Sequence, residues 1–196
     1  MVTEKSNLKS EAVFSDDRKY RYILRREWDS KKSKVAVIMK NPSISDGGQV
    51  TDTTTMLITN NTAALDYGGF DVLNIVPLIT TKLNLSECES IPDEVFEENL
   101  KHIKKVCENA EKILIAWTTL SGKKIAGVMN DVLEALKPFE HKLYTISNKS
   151  GGQAYHPLSP KIRKHWQFNK YELSDSEQEI QAAEQGDDLP MPEENV

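Results

Sequence analysis

Cysteine is nearly absent from this chain: 196 residues hold two, Cys88 and Cys107. Two thiols make no disulfide framework, and no further cysteine stands at a spacing that would complete a zinc site. The expectation is no metal, no cofactor and a reducing, cytoplasmic compartment. Long apolar runs are also missing. No segment approaches the roughly 20 apolar residues of a membrane span, and the first residues carry no run of signal-peptide length. A membrane partner is therefore not expected. Basic residues are missing from 171–196, which hold nine acidic side chains and no Lys or Arg. The rest, residues 1–170, carries 25 basic against 21 acidic groups, a net +4 within a chain of net -5. A mildly basic body with an acidic tail suits a polyanion binder, and equally a plain soluble enzyme with a solvated tail.

Length bounds the domain count at one core. Residues 1–16 are polar and read as a flexible N-terminus, 17–170 as one α/β domain, and 171–196 as an acidic, disordered tail. Tyr20 to Trp28 alternates bulky and charged residues, as a half-exposed edge strand would. Lys34 to Met39 is continuously apolar, as a strand covered on both faces should be. Asp52 precedes three threonines and caps a helix running to about Asp66, ended by Gly68-Gly69. The next strand is Phe70 to Val76. Pro92-Asp93 opens a second helix, with Phe96, Leu100, Ile103 and Cys107 on one face. A strand from Lys112 to Trp117, a helix from about Ser121-Gly122 to just before Pro138, and a strand from His141 to Ile146 complete the alternation. Strands alternating with helices predict a three-layer α/β/α sandwich around a mainly parallel sheet.

Two proline-stiffened loops stand where predicted strands end: Lys40-Asn41-Pro42-Ser43 and His156-Pro157-Leu158-Ser159-Pro160. Ligands collect beyond the carboxyl ends of strands in open α/β sheets, so both loops are expected on one cleft, with Asn74 on the same rim. Each residue also has a plain reading. Asn41, Pro42 and Ser43 are common turn formers, His156 can brace a tight loop, Asn74 can cap a strand end, and Asp52 can be only a helix cap. Trp117 reads as core. Lys161, Arg163 and Lys164 beside Trp166 form a basic and aromatic cluster suited to phosphate or single-strand contacts, or a solvated loop. Ser43 lacks the Gly-x-Ser-x-Gly surroundings of a nucleophilic serine.

Together, Asn41-Pro42-Ser43, Asp52 with Thr54, Asn74, Trp117 and Gly152-Gln153-Ala154-Tyr155-His156-Pro157-Leu158 resemble the signature of domain of unknown function 1643, over Tyr20 to Phe168. The order of these motifs is also similar, at greater distance, to the uracil-DNA glycosylase superfamily. That resemblance implies a glycosylase-like fold and a nucleobase-recognising protein that hydrolyses the N-glycosidic bond of an unusual or modified base in DNA. By the same resemblance, Asn41 and His156 would be catalytic, one placing water and the other stabilising the departing base. Ser43, Asn74 and Leu158 would bind the base, with Leu158 as a wedge in the stack. Lys40, Lys161, Arg163 and Lys164 would contact nucleic acid, DNA rather than RNA. The alternative is a non-catalytic module that keeps the pocket for a nucleic acid, a nucleotide or a protein. The acidic tail adds the idea of DNA mimicry or self-occlusion.

Overall fold

The strand that organises this molecule is apolar on both sides, and its side chains alternate between two cores. In the computed structural model, Val35, Val37 and Met39 of β3 (Lys34–Met39) enter one hydrophobic cluster while Ala36 and Ile38 enter the other. The structure describes residues 1–3, 7–43, 51–117, 123–148 and 156–173, without the side chain of Lys123. Seven strands are found there: β1 (Lys9–Phe14), β2 (Arg21–Glu27), β3, β4 (Gly69–Asn74), β5 (Lys112–Ile115), β6 (Leu143–Ser147) and β7 (Gln167–Lys170). They form one sheet in the order β1-β2-β4-β3-β5-β6-β7.

The sheet is mixed, which corrects the expectation of a mainly parallel one. β4, β3, β5 and β6 run parallel, while β1/β2, β2/β4 and β6/β7 pair antiparallel. Two of the added strands escaped the sequence reading because they lack its signal. Residues 9–14 read as loose since no residue of β1 is buried and Lys9, Ser10 and Glu11 are exposed, and β7 is a four-residue, largely exposed strand. β2 is not an edge strand. It lies between β1 and β4 and is buried over most of its length, its alternating charge being absorbed by the Arg25–Asp71 pair at 2.6 Å and by Arg26, which is 1% exposed.

Four α-helices cover the sheet among the described residues: α1 (Thr53–Ala64), α2 (Leu85–Glu89), α3 (Asp93–Asn109) and α4 (Lys123–Leu136). Ile58 of α1 packs with Val35, Val37 and Phe70, whereas Ile103 of α3 and Ile125 and Met129 of α4 pack with Ala36, Ile38 and Ile113. Helices therefore lie on both faces. The handedness of crossovers explains the split: β3 to β4 steps one way along the sheet, β4 to β5 and β5 to β6 step the other way, and right-handed connections then put α1 opposite α3 and α4. α2, capped by Asn84, had not been read from the sequence, nor had the 3-10 turn at Lys137–Lys142. The expected start of the third helix at Ser121-Gly122 lies outside the described residues.

Gly68 and Gly69 do something other than end α1, whose C-cap is Leu65. A Cβ on Gly68 would stand 2.0 Å from the Asp29 carbonyl oxygen, and one on Gly69 2.5 Å from that of Arg26, so backbone approach to the end of β2 requires both. At the other end of the domain, Tyr171 is buried and its N–H donates to the Leu143 carbonyl at 3.1 Å. Ordered structure thus continues past residue 170; the tail from 174 lies outside the described residues.

Candidate functional site

The loop after β3 leads to α1 on one face, while the connections after β4 and β5 lead to helices on the other. Adjacent strands whose loops part in this way open a crevice at their carboxyl ends. Asn41, Pro42 and Ser43 leave β3 at this point, and Asn74 ends β4 directly beside it, paired in register with Met39. Asn74 follows Phe70 and Val72 in strand alternation, so its side chain lies on the α1 face.

The side chain of Asn41 is half-buried and already committed. Its Nδ2 donates to the Thr80 carbonyl at 2.8 Å and to that of Pro42 at 3.2 Å, while Thr80 N–H donates to Pro42 O at 3.2 Å. The amide staples the loop after β3 to the loop after β4 and leaves Oδ1 as the atom able to hold a water. Ser43 Oγ donates to Asp52 Oδ2 at 2.6 Å, and Asp52 Oδ1 caps α1 by accepting from Thr55 N–H at 2.7 Å. Asp52 is therefore the expected helix cap. Burial raises its pKa, but the bonds from Ser43 and Thr55 and the positive charge of Arg21 outweigh burial and hold it below the ordinary value.

That folded-state lowering has a signed consequence. A carboxylate with a depressed pKa stabilises the fold above its unfolded pKa, and the contribution is lost as pH falls through the lower, folded value. Ser43→Ala removes one of the lowering bonds, so acid unfolding followed by circular dichroism between about pH 5 and pH 2 is expected to begin at higher pH than in the parent. An unchanged acid limb would show that the Ser43–Asp52 bond carries no differential stability.

Asn74 differs from its neighbours. It is 1% exposed, and neither its Nδ2 nor its Oδ1 has a hydrogen-bond partner among the described residues. A buried amide with both donor and acceptor unused costs about 1–3 kcal/mol for each unsatisfied group. Its backbone carbonyl, by contrast, accepts from Asn99 Nδ2 at 2.8 Å.

The loop bearing His156 returns to the same face. Ile162 and Trp166 enter the cluster containing Ile58, and Trp166 N–H donates to Asn61 Oδ1 of α1. Asn148, just past β6, donates from Nδ2 to the Lys161 carbonyl at 2.8 Å. His156 is half-buried, and its Nδ1 accepts from the Leu158 N–H at 3.2 Å, which places the proton of a neutral ring on Nε2. Leu158 is half-buried, and its carbonyl accepts from Arg163 Nε at 2.8 Å. Lys161, Arg163 and Lys164 are exposed, but Trp166 is 3% exposed and belongs to the core, so Trp166 is not a stacking platform beside them. Trp117 is core as expected. The stretch Gly152 to Tyr155 lies outside the described residues.

Lys40 parts from this group. By alternation beyond Met39 it lies toward α2, where the positive charge of Lys40 partly offsets the burial that pushes the Cys88 thiol up to about 11. Burial in turn lowers the Lys40 pKa. Arg21 is the residue that sequence reasoning missed. It is 4% exposed at the start of β2, its backbone N–H donates to the Pro77 carbonyl early in the loop after β4, and its charge reaches Asp52. The signal available was a charged residue between Tyr20 and Tyr22, which the alternation had assigned to solvent.

Fold and site define an α/β protein whose polar loops after β3 and β4 are hydrogen-bonded to each other at the carboxyl ends of those strands. Residues 21–158 match the family described as protein of unknown function DUF1643, and the chain belongs to that family. The match begins at Arg21 and closes at Leu158, so it takes in Asn41, Ser43, Asn74 and His156. Comparison with curated proteins and with solved structures finds no match. No helix among the described residues is long and apolar enough to cross a membrane.

Proposed function

We propose that this crevice recognises a nucleobase within a nucleic acid, in the manner of the uracil-DNA glycosylases, and that the protein hydrolyses the N-glycosidic bond of an unusual base in DNA. The observation that carries the reading is Asn74. A donor and an acceptor, both buried at the end of a central strand and unpartnered among the described residues, complement the paired edge of a base, which gains both hydrogen bonds on reaching them. Asn41 Oδ1 holds the water that attacks the sugar C1′. The base departs as an anion, and His156 Nε2–H donates to it, with no need for a charged imidazole. Lys161, Arg163 and Lys164 meet phosphates, and their binding is salt-dependent.

One observation favours the second reading, a binding module without turnover. Asn41 Nδ2 is spent on two backbone carbonyls, so the residue is explained as a loop staple before any chemistry is asked of it. The test is an abasic-site assay with single- and double-stranded DNA carrying uracil, mismatched and bulky modified bases, run beside equilibrium binding on the same strands. Abasic product from any substrate supports hydrolysis. Base-dependent binding with no product across the panel supports the module, and neither binding nor product removes both.

A further inference from the structure

The outer face of α1 is unlike that of a helix made for water. α1 buries Thr55, Asn61 and Thr62 with Ile58, leaves Met56, Asn60, Ala63 and Ala64 exposed, and has no charged residue among its 12. A solvated helix face ordinarily carries charge, as α3 does with the exposed Glu94, Glu97, Lys101 and Lys104. One flank of α1 is bordered by the loop 156–166, tied to it by the Trp166 N–H bond to Asn61 Oδ1 at 3.3 Å. That loop holds Lys161, Arg163 and Lys164, all exposed, and no carboxylate. No described residue forms an ion pair with any of the three, and Arg163 Nε donates to a backbone carbonyl, that of Leu158. Lysines elsewhere on the surface are neutralised, Lys32 by Asp66 and Lys34 by Glu27. An uncharged stripe beside three unneutralised cations fits an acidic segment that also carries apolar side chains. The chain contains one: residues 174–196 have eight acidic side chains, no Lys or Arg, and Ile180, Leu189 and Met191 among them.

We propose that the acidic segment 174–196 docks on this face of its own chain, its apolar side chains against the outer stripe of α1 and its carboxylates against Lys161, Arg163 and Lys164. The reach is sufficient. Leu173 packs with the cluster on the α3/α4 face, so the segment has to pass round β7 and then cross to α1, which lies over β3. β7 and β3 are three strand spacings apart, about 15 Å, while residues 174–189 extended span roughly 50 Å. Each exposed ion pair is weak, and tethering supplies what the pairs lack, an effective concentration on the order of millimolar. The lysines of α3 suit the segment less well because they share their helix with Asp93, Glu94, Glu97, Glu98 and Glu108. A polyanion drawn to Lys161, Arg163 and Lys164 has to displace the segment first. The docking does not depend on what the crevice binds.

Zero-length carbodiimide cross-linking of the full chain, read by peptide mass spectrometry, tests this. Amide links from the carboxylates of 174–196 should concentrate on Lys161 and Lys164 and fall several-fold in high salt, where exposed pairs are screened. Asn60→Glu, exposed in the middle of the face, adds a repelling carboxylate and should cut those links several-fold while circular dichroism shows the fold intact. Heparin serves as a polyanion probe. Glu177→Gln, Glu179→Gln and Glu184→Gln together should raise heparin affinity several-fold, and the gain should vanish once Lys161, Arg163 and Lys164 are each replaced by Gln. Links formed only between chains in a mixture of ¹⁴N and ¹⁵N protein would assign the face to a second copy's segment and overturn docking within one chain. Links centred on Lys104, Lys105 or Lys142, no links at all, or links undiminished in a folded Asn60→Glu overturn the proposal as well.

Discussion

Asn74→Val is expected to make the protein more stable and less able to hold its ligand. The wild-type amide buries a donor and an acceptor without partners, so replacing it with a smaller, strand-compatible apolar side chain should stabilise the fold by about 1–3 kcal/mol. For a domain of this size that corresponds to a rise of roughly 2–4 °C in Tm per kcal/mol. Val is chosen over Leu because it adds no bulk to a site where overpacking would obscure the gain. The same change removes both atoms proposed to read the base, and affinity for the recognised strand should fall by about 10- to 100-fold, the worth of one bidentate base contact. The two readouts run in opposite directions, which a purely structural residue does not produce. A fall in Tm with binding untouched would return Asn74 to the role of a strand-end cap. Thermal melts and equilibrium binding on one preparation decide it.

How much of this was legible beforehand depends on where each signal resides. The central strands were readable because burial on both faces demands continuous apolar runs, and β3 supplies one from Val35 to Met39. α3 was readable from its period of apolar residues and its opening Pro92-Asp93. β1 and β7 were not, because strands held by backbone pairing at a sheet margin need few buried side chains, and neither contains a buried residue. Missing them, and placing β2 at an edge without its antiparallel pairing to β4, is what turned a mixed sheet into an expected parallel one. α1 shows the same limit from another side. It was readable from its cap, Asp52, while what it buries, Thr55, Asn61 and Thr62 beside Ile58, is mostly polar. Those groups are satisfied locally, Thr62 Oγ1 donating to the Ile58 carbonyl at 2.6 Å and Asn61 Nδ2 to that of Leu57 at 2.9 Å. At the crevice, residue types and strand ends identified Asn41, Ser43 and Asn74. What sequence could not supply was the state of each group: that the donor of Asn41 is spent, that Ser43 is bonded to Asp52, and that both hydrogen-bonding groups of Asn74 are unused among the described residues.

Those states make the chemical prediction sharper. Asn41→Ala is expected to act twice, because the residue holds two loops together and, in the proposed reaction, positions the water through Oδ1. Losing the bonds to the Thr80 and Pro42 carbonyls should lower stability by about 1–3 kcal/mol, and losing the water's anchor should reduce single-turnover excision by roughly 10²- to 10³-fold with base affinity nearly unchanged. His156 separates from this behaviour. Its Nδ1 is held by the Leu158 N–H, so the proposed catalytic atom is Nε2 and the acting form is neutral. His156→Ala should slow the chemical step without the stability loss of Asn41→Ala, whereas His156→Gln, whose amide can present an N–H near the position of Nε2–H, should retain part of the rate. Partial rescue by Gln is the signature of hydrogen-bond donation to a departing base, since a role confined to bracing the loop would show equal loss in both variants and a shifted Tm. If the wild type yields no abasic product on any strand while Asn41→Ala and His156→Ala alter affinity alone, the crevice is a reader of bases and not a catalyst.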